Sequence, residues 1–453
     1  MIDLAPNPKK SSALPPALGG GLPLLGHALA FARNPVALLR GGQEQLGNVY
    51  SFRLLTNKVA VLLGPKANEA YFRASETQLS ARAAYRFTVP LFGKGIAYDA
   101  TPARMEEQID LFYPALTEQR LRTYADVFTD EAEQYLDRLG DAGEISLNQL
   151  TNELTVFIAS RCLIGREFRQ NLSEEFAHLY HDLEGGINLL AFFHPFLPLP
   201  SFKRRDRARV RMVEIIGKII AGRRERGAVE EDFLQTLMTA RYADGTMLND
   251  DQITGMLLTL IFAGQHTSAA LASWLGVELL QHRQFLPDIL AEQDRLVGNR
   301  PLTYEALREM TCLERAMQET ERLHPPLIML FRKVVEEFAY QEYRIPPGWM
   351  IMVSAAVSHR LAEVFPNPDQ FDPDRLGPGR EEHRKQKFSL ITFGGGKHAC
   401  IGMNFAYLQI KAIWSALLRR YELELIDAKP EPNYATFVVV PREPCRVRYK
   451  RRK

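Results

Sequence analysis

One stretch near the end of the chain decides the fold: Phe393-Gly394-Gly395-Gly396-Lys397-His398-Ala399-Cys400-Ile401-Gly402. The glycine run allows left-handed dihedral angles and lets the backbone pass close to a flat ligand. Apolar residues after Cys400 recur at helical spacing, which predicts that the cysteine lies just ahead of a helix N-terminus. Backbone N–H groups at such an end stabilise an ionised sulfur. The stretch therefore predicts a thiolate that binds a metal, although a lone cysteine is more often a small buried hydrophobe.

These ten residues resemble the heme-binding signature of the cytochrome P-450 family. They match it at the phenylalanine, the third glycine, the basic residue, the cysteine and the following glycine. The resemblance implies that Cys400 ligates the iron of a heme b and that Phe393 and Gly394 also contact the cofactor. It implies a mainly α fold with small β-sheets, in which the heme lies between a long central helix and the cysteine-loop helix.

Length and composition fit one large unit. The 453 residues are 46% hydrophobic and 10% aromatic, enough for a core that encloses a bulky cofactor. The sequence shows no repeat, low-complexity stretch or long linker, so residues 1–453 are expected to form a single catalytic domain. A lead rich in proline and glycine occupies about residues 1–22.

The charge and the cysteines exclude several classes of protein. A formal net charge of +2, from 56 basic and 54 acidic residues, does not indicate a nucleic-acid binder. Four cysteines at 162, 312, 400 and 445 are too scattered for a disulfide framework or a zinc site, which favours a reducing, intracellular setting. Neither a signal peptide nor a long apolar run is present, so we expect a soluble, cytoplasmic protein without a transmembrane anchor.

Periodicity predicts the main elements. Alternation over residues 49–64 predicts a hairpin around Asn57-Lys58, and helical spacing dominates from there to about residue 227. A long helix is expected from Asn249 past Leu280, and another from Tyr304 to Leu323. Residues 331–340, 343–353 and 437–449 are strand-like. Prolines in the apolar stretch 188–200 interrupt the helical rhythm, which fits either a lid or a packed loop.

The long predicted helix contains Ala263-Gly264-Gln265-His266-Thr267. The Thr267 hydroxyl can donate to bound oxygen or bond back to the carbonyl four residues earlier. Alone, small residues on a buried helix indicate close helix packing. Beside the cysteine loop, the segment resembles the oxygen-activating groove of the family. Histidine replaces the usual acid at position 266, and A-G-Q-H-T is the form found in the sterol 14α-demethylase branch, which implies catalytic roles in proton delivery for Thr267 and His266.

A second branch-specific feature is the loop at residues 85–99. It places aromatic residues on a backbone shaped by glycine and proline, which suits either an apolar cavity or simple anchoring to the core. The loop resembles the substrate-facing signature of the sterol 14α-demethylase branch, and residues 15–27 resemble that branch as well. The expected sterol contacts are Phe87, Phe92, Tyr98, Ala263, Ile328, Met329 and Leu330.

Charged residues supply the remaining candidates. Glu319 and Arg322, three apart, would alone form a weak surface pair. With the later Arg375 they resemble the family's buried Glu-x-x-Arg cluster, which implies a structural role. The resemblance assigns the heme propionates to His398, Arg332 and Tyr85. It adds Gln108 as a further cofactor contact, although the Ile109 that follows departs from the family's pattern. Basic residues near the cysteine loop suit an acidic electron donor or are ordinary solvated surface: Lys385, Lys387, Lys397, Arg419 and Arg420.

The resemblance as a whole implies a soluble sterol 14α-demethylase of bacterial type. Such an enzyme removes the 14α-methyl group by three successive oxidations with O2, releases formate and binds azoles. Electrons would come from NAD(P)H through a ferredoxin or a flavoprotein reductase. Three alternatives stay open: a cytochrome P-450 that hydroxylates another large apolar substrate, a heme-thiolate protein without turnover, and a globular protein without heme.

Overall fold

The computed structural model describes residues 13–170, 174–187, 189–227, 229–230, 232–427 and 429–452. The first twelve residues of the expected N-terminal lead, Asn188 of the proline-interrupted stretch, and the last residue, Lys453, lie outside the described residues. The described chain is mainly helical with small sheets, which confirms the predicted class.

The helices are bounded as follows: α1 (Ala28–Arg33), α2 (Pro35–Leu46), α3 (Pro65–Arg73), α4 (Ala81–Ala84), α5 (Val89–Phe92), α6 (Pro102–Phe112), α7 (Glu118–Leu139), α8 (Leu147–Leu163), α9 (Arg166–Gln170), α10 (Glu174–Glu184), α11 (Leu189–Phe193), α12 (Pro200–Arg226), α13 (Phe233–Thr239), α14 (Asp250–Gln281), α15 (Leu286–Leu296), α16 (Tyr304–Glu309), α17 (Thr311–Leu323), α18 (Ala355–Ser358) and α19 (Met403–Arg420).

The strands are bounded as follows: β1 (Val49–Leu54), β2 (Asn57–Leu62), β3 (Leu79–Ser80), β4 (Ala142–Ser146), β5 (Leu330–Val334), β6 (Phe338–Tyr340), β7 (Tyr343–Ile345), β8 (Met350–Val353), β9 (Tyr421–Leu425), β10 (Pro432–Asn433), β11 (Val440–Pro441) and β12 (Arg446–Arg451). The three strand-like stretches of the sequence therefore contain β5 to β8, β11 and most of β12.

The chain forms two compact units, each assembled from several segments. The first unit comprises Met1–Tyr85, Ile328–Pro368 and Glu382–Ala399, and the second comprises Arg86–Leu327, Asp369–Glu381 and Cys400–Lys453. The expectation of a single catalytic domain stays a prediction.

The first unit is built on a five-stranded sheet with the order β1-β2-β8-β5-β3. Strands β2 and β8 are parallel, and the other neighbours are antiparallel. The predicted hairpin is confirmed, but its turn falls at Leu55-Thr56 because Asn57 already pairs with Leu54. Leu55 takes the left-handed conformation, with φ of 54°. Apolar side chains from the sheet and from α3 form the core of this unit.

The second unit is organised around α14, which begins where the sequence predicts. Asn249 accepts a hydrogen bond from the Gln252 backbone N–H at 2.8 Å, and the Gln252 side chain accepts one from the Asn249 N–H at 3.0 Å. This reciprocal capping satisfies two of the helix's free donors. The helix packs against α8, α12, α17 and α19 of the same unit. It is also the one described helix long and apolar enough to span a membrane, and 61% of its most apolar window is buried.

The contact between α14 and α19 is close because a glycine faces a tryptophan. A Cβ added at Gly276 would lie 2.5 Å from the Trp414 ring, so no larger residue fits without movement. The Trp414 indole N–H donates to the Ala272 carbonyl at 3.0 Å. The helix that follows the cysteine loop is thereby held against the helix that carries the A-G-Q-H-T segment.

The predicted helix from Tyr304 to Leu323 is wrong, because the structure divides it into α16 and α17 at Met310. The buried Glu292 carboxylate accepts hydrogen bonds from the backbone N–H groups of Thr311 and Cys312, at 2.8 and 3.0 Å. These are free donors of a new helix N-terminus, and a carboxylate there is favoured by the helix dipole. A residue about twenty positions earlier in the chain thus sets the break.

Helix α17 carries a buried cluster of charges. Arg322 donates to both oxygens of Glu319, at 2.7 and 2.8 Å, and Arg375 donates to Glu319 Oε1 at 2.9 Å. All three side chains are at most 1% exposed. The Asp372 backbone N–H adds a fourth bond to the carboxylate at 3.0 Å, so the structure brings together the residues that the sequence assigns to a structural cluster.

A second buried carboxyl joins α17 to α19. The Tyr407 hydroxyl donates to Glu321 Oε2 at 3.0 Å, and Glu321 is 4% exposed. Burial raises the pKa of Glu321 to about 8, against the opposing effect of the Tyr407 hydrogen bond. The carboxyl is therefore mainly neutral at pH 7.

Neutralising the centre of the charge cluster should destabilise the protein. Glu319→Gln leaves two buried guanidinium groups without their counter-charge, so we expect the free energy of unfolding in urea to fall by about 3–5 kcal/mol. Arg380→Gln is the matched control, since it removes an exposed 2.7 Å pair with Asp372 and should cost less than about 1 kcal/mol. Equal losses in the two variants would contradict a structural role for the cluster.

The raised pKa of Glu321 predicts a pH-dependent stability. The folded state holds the proton up to about pH 8, whereas the unfolded chain releases it near 4.5, so this carboxyl's contribution falls as pH rises between those values. Glu321→Gln, which mimics the neutral acid, should match the wild type near pH 5 and exceed its unfolding free energy at pH 8. Tyr407→Phe should keep the slope. Urea unfolding at several pH values measures both, and an unchanged slope in Glu321→Gln would refute the assignment.

Candidate active site

The cysteine loop is shaped by its own turns. Gly394 has φ of 70°, and a Cβ there would lie 2.3 Å from the His398 carbonyl oxygen, so only glycine fits. The Gly394 N–H donates to the Ile391 carbonyl at 2.9 Å, and the Ala399 N–H donates to the Gly396 carbonyl at 3.2 Å. Phe393 lies at the first turn and is half-buried. The glycine run therefore serves the tight fold of the loop itself.

Cys400 lies three residues before α19, and Gly402 caps that helix, as the apolar spacing predicts. The residue is exposed, but enough protein surrounds its sulfur for burial to raise the pKa of the thiol. The Gly402 backbone N–H opposes this shift without reversing it. In the polypeptide alone, burial thus outweighs the single N–H, and the ionised sulfur expected of an iron ligand stays a prediction. A bound cation would remove the proton.

The middle of α14 is exposed at Ala263, although the residues before and after this opening in the chain are buried. Residues 253–258 and 268–280 are buried, whereas Ala263 is exposed. A Cβ added at Gly264 would meet no atom within 4 Å. An exposed alanine and an unfilled glycine at the centre of a core helix leave room for a ligand. The opening lies in the same unit as Cys400.

Thr267 lies at this opening, one turn after Ala263. Its hydroxyl donates to the Ala263 carbonyl at 2.7 Å, which is one of the two arrangements expected from the sequence. That bond uses the hydroxyl hydrogen and leaves the oxygen free to accept. On the same face of the helix, Leu260 is half-buried and Met256 is fully buried, so the opening does not extend back to Met256.

His266 is held between aromatic rings and a carboxylate. Its ring stacks on Tyr180, with centroids 5.4 Å apart and planes 13° apart, and meets the Phe262 ring edge-on at 4.8 Å. His266 Nε2 lies 2.8 Å from Glu184 Oε1, although the alignment does not meet hydrogen-bond geometry. Glu184 is half-buried at the end of α10.

The adjacent Gln265 is fully buried. The Tyr180 hydroxyl donates to its side-chain oxygen at 3.1 Å, and its amide nitrogen donates to Asn152 of α8. Sequence reasoning missed Tyr180, Glu184 and Asn152, because nothing near them in the chain marks them as partners of the A-G-Q-H-T segment.

The aromatic segment that the sequence predicts as a loop is a series of short helical turns. Phe87 lies in a 3₁₀ turn, Arg86–Thr88, and its buried ring contacts Phe192 and Phe437 at centroid distances of 5.5 and 5.4 Å. Phe92 ends α5 and meets Phe262 of α14 edge-on at 5.9 Å. Both rings anchor the segment to the core. Tyr98, in the 3₁₀ turn Ala97–Asp99, is half-buried.

The remaining sterol candidates lie in the first unit, where β5 begins. Ile328 is buried, and its carbonyl accepts hydrogen bonds from the Ser354 hydroxyl at 2.8 Å and the Ala356 N–H at 3.3 Å. Met329 and Leu330 are half-buried. The backbone of this turn is fixed, whereas two of its apolar side chains retain exposed surface.

Three candidates for the heme propionates lie in the first unit. Arg332, 2% exposed, donates to the carbonyls of Tyr71, Ala74 and Ser75 and to Glu76, while its buried Nε has no hydrogen-bond partner. His398 Nε2 lies 3.5 Å from Glu76 Oε1. Burial, aided by the Arg332 charge, lowers the pKa of His398. Glu76, which the sequence did not single out, thus binds Arg332 and lies beside His398, the two side chains expected to meet the propionates.

Tyr85, the third candidate, is buried at the end of the first segment of this unit. Its hydroxyl accepts a hydrogen bond from the Phe331 N–H at 3.2 Å. It is therefore adjacent in the fold to the strand that carries Arg332.

Gln108 does not fit the role expected of it. Its amide donates to the Gly95 carbonyl at 2.8 Å and to the Tyr242 hydroxyl at 3.2 Å, while its side-chain oxygen accepts from the Ala97 N–H at 2.9 Å. Both amide hydrogens are used, so none remains for a propionate. The reason is tertiary: the segment 95–97 folds back onto α6.

The basic residues near the cysteine loop divide into two groups. Lys385, Lys387 and Lys397 of the first unit are exposed. In the second unit, Arg420 pairs with Asp137 and Glu133, and Arg419 donates to the Gly298 carbonyl. The three lysines are thus the exposed members of this set, whereas the two arginines are half-buried.

Comparison with known proteins agrees with this geometry. Residues 15–449 match the family profile described as Cytochrome P-450. The chain is 40% identical to a sterol 14-demethylase of Arabidopsis thaliana over 98% of this chain and 92% of the relative. It is 39% identical to a lanosterol 14-alpha demethylase of Bos taurus, covering 99% and 90%. It is 39% identical to a sterol 14alpha-demethylase of Mycobacterium tuberculosis, covering 96% and 98%.

Among solved structures, the retinoic acid-bound cyanobacterial CYP120A1 superposes with a TM-score of 0.88 at 26% identity, covering 97% of this chain and 99% of that one. The profile match and the relatives each span nearly the whole sequence. The chain belongs to the cytochrome P-450 family.

Proposed function

We propose that this protein is a heme-thiolate monooxygenase that removes the 14α-methyl group of a sterol. The observation that carries the proposal is the pairing, within one unit, of an exposed Cys400 ahead of α19 with a central helix that opens at Ala263 and Gly264. Relatives from a plant, a mammal and a bacterium, all named sterol 14-demethylases or close variants, support the choice of substrate.

The residues present fit a heme. A cysteine sulfur can ligate heme iron, and Cys400, the exposed one of the four cysteines, would hold it. Arg332 has a buried Nε without a partner, and His398 and Tyr85 lie in the same unit, so these three would meet the propionates in place of Glu76. When bound, the heme supplies the oxidative chemistry with O2, while the polypeptide orients the sterol and controls protons and water.

The proton path is proposed from the side chains at the α14 opening. Glu184 lies 2.8 Å from His266, which would pass a proton toward Thr267, the next residue of the helix. Thr267 can release its bond to the Ala263 carbonyl and donate to an oxygen-bearing ligand instead. His266 and Thr267 are therefore the proposed catalytic residues, and Glu184 is a positioning residue behind them.

The apolar residues would position the sterol. Phe87 and Phe92 form rigid walls because other aromatic rings hold them, whereas Tyr98, Met329 and Leu330 keep exposed surface for contact. Ala263 and Ile328 complete the proposed set. The reaction takes the methyl group to an alcohol, then an aldehyde, then formate with a new ring double bond, and each step consumes one O2 and two electrons.

The electrons require a separate donor. The exposed Lys385, Lys387 and Lys397 support docking of an acidic protein, such as a ferredoxin or a flavoprotein reductase, by charge attraction. Arg419 and Arg420 contribute less, because Arg419 already donates to a backbone carbonyl and Arg420 already pairs with acidic side chains.

The cysteine can be tested by spectroscopy and by product analysis. The purified heme-loaded protein should show the family's reduced carbon-monoxide band, and Cys400→Ser should lose it because an alcohol replaces the thiolate. Cys312→Ser, at a half-buried cysteine, is the matched control and should keep the band. With lanosterol or obtusifoliol, O2 and a donor system, the wild type should release formate and the 14-demethylated sterol. A hydroxylated sterol without formate would instead identify a different hydroxylase of the same family.

The proton path can be tested with a variant that keeps the packing. His266→Phe preserves the ring between Tyr180 and Phe262 but removes both nitrogens, so we expect turnover to fall by about a hundredfold or more with sterol binding unchanged. Phe262→Leu disturbs the same packing and keeps the histidine, so it should affect turnover far less. Steady-state kinetics and sterol titration separate the two. Similar turnover of His266→Phe and the wild type would remove His266 from the mechanism.

A further inference from the structure

Gln108 of α6 binds the aromatic segment that precedes it. Its side chain is 2% exposed and makes three hydrogen bonds: the amide donates to the Gly95 carbonyl and the Tyr242 hydroxyl, and the oxygen accepts from the Ala97 N–H. Two of these bonds close on the backbone of residues 95–97, directly before Tyr98. Both hydrogens of the buried NH2 group are therefore used, one by this segment and one by Tyr242.

The backbone that Gln108 binds has positive φ angles at Gly95 and Ala97. Gly95 has φ of 71°, and Ala97 has φ of 49°, a left-handed conformation that is unfavourable for alanine. The Gly95 N–H donates to the Asp99 carboxylate at 2.8 Å, which closes the turn from within. The bonds from Gln108 hold the same turn from outside. Without the bonds from Gln108, the unfavourable backbone conformation at Ala97 would be stabilised by fewer hydrogen bonds.

The third bond of Gln108 extends to the turn between α13 and α14. Tyr242 is 6% exposed, and the Arg104 guanidinium lies 3.8 Å from the centre of its ring. Arg104 also pairs with Asp244 at 2.8 Å, and the Ala243 N–H donates to Glu107 at 3.0 Å. The turn at residues 242–246 is thus fastened to α6, and Gln108 connects it with residues 95–97.

The beginning of the aromatic segment is fastened independently. Arg209 of α12 donates to the Phe92 carbonyl at 3.1 Å and pairs with Asp251 of α14 at 2.7 Å. Loss of the Gln108 bonds would consequently release residues 95–99 while Phe92 stays in place. The two attachments are separable, so a variant can loosen one of them alone.

We infer that Gln108 is a positioning residue that holds the turn carrying Tyr98 in its substrate-facing arrangement, and that it does not bind the cofactor. This inference rests on the proposed function, because it is there that Tyr98 contacts the sterol. Gln108 acts on substrate through the backbone of Gly95 and Ala97, and its effect should therefore fall on sterol affinity and not on heme retention.

The test compares four proteins: wild type, Gln108→Leu, Tyr242→Phe and Tyr135→Phe. Gln108→Leu removes all three bonds at similar volume, and Tyr242→Phe removes one. Tyr135→Phe is the matched control, since Tyr135 is also 6% exposed and its hydroxyl donates elsewhere, to Glu153 at 2.7 Å. Amide hydrogen exchange of the peptide covering residues 93–100, heme content, the reduced carbon-monoxide band and the lanosterol dissociation constant are measured on each holoprotein.

We expect Gln108→Leu to exchange faster at residues 93–100, with normal heme content and an unchanged carbon-monoxide band. Its lanosterol dissociation constant should rise about tenfold, the equivalent of one to two lost hydrogen bonds. Tyr242→Phe should show a smaller change in the same direction, and Tyr135→Phe should match the wild type. Exchange at α14 peptides, unchanged in all variants, verifies that the fold is intact.

Two results would overturn the inference. If Gln108→Leu loses heme while residues 93–100 exchange as in the wild type, Gln108 serves the cofactor. If exchange and sterol affinity both stay unchanged, the bonds do not position the turn. Failure of the wild type itself to bind lanosterol would count against the proposed function alone, because exchange and heme content still decide whether Gln108 holds the turn.

Discussion

A cysteine can serve as an iron ligand only if its sulfur is open to the metal while its backbone is held in place. The chain meets both conditions with tight turns inside the loop and with one contact between two helices. The loop before Cys400 folds on itself through the left-handed Gly394, which approaches the His398 carbonyl too closely for any side chain. After Cys400, α19 begins within three residues and is anchored through Trp414 to α14. Burial raises the pKa of the free Cys400 thiol, and a bound cation would favour its ionised form.

The second constraint is that α14 has to be both the central core helix and the wall of a ligand site. Residues 253–258 and 268–280 of this helix are buried, and it opens between them, at Ala263 and Gly264. Two polar side chains near that opening have partners on other helices: Gln265 on α8 and α10, and His266 at Glu184 of α10. A buried polar group without such support would be costly. The same contacts that satisfy the helix therefore also assemble the proposed proton path.

Several carboxylates accept hydrogen bonds from other segments of the chain and hold those segments in place. Glu292 accepts hydrogen bonds at the break between α16 and α17, and Glu319 of α17 binds Arg322 and Arg375. Glu76 occupies Arg332 and lies beside His398, where the propionates of a heme are proposed to bind. Gln108 binds the turn at residues 95–97 with a neutral amide instead. Glu292, Glu319 and Gln108 are buried and each accepts hydrogen bonds from backbone N–H groups of another segment, which apolar packing alone would not fix.

The sequence by itself determined the class of the protein. The glycine-rich stretch around Cys400 and the A-G-Q-H-T segment are local motifs, and their chemistry depends on neighbours in the chain. The hairpin, α14 with its cap, and α19 follow from periodicity and end signals that are equally local. The tertiary structure alone decided where Gln108 sends its hydrogen bonds, why a helix breaks at Met310, and which carboxylate stands beside His266. Those outcomes depend on side chains far away in sequence, and no pattern within a single segment encodes a partner that only folding brings near.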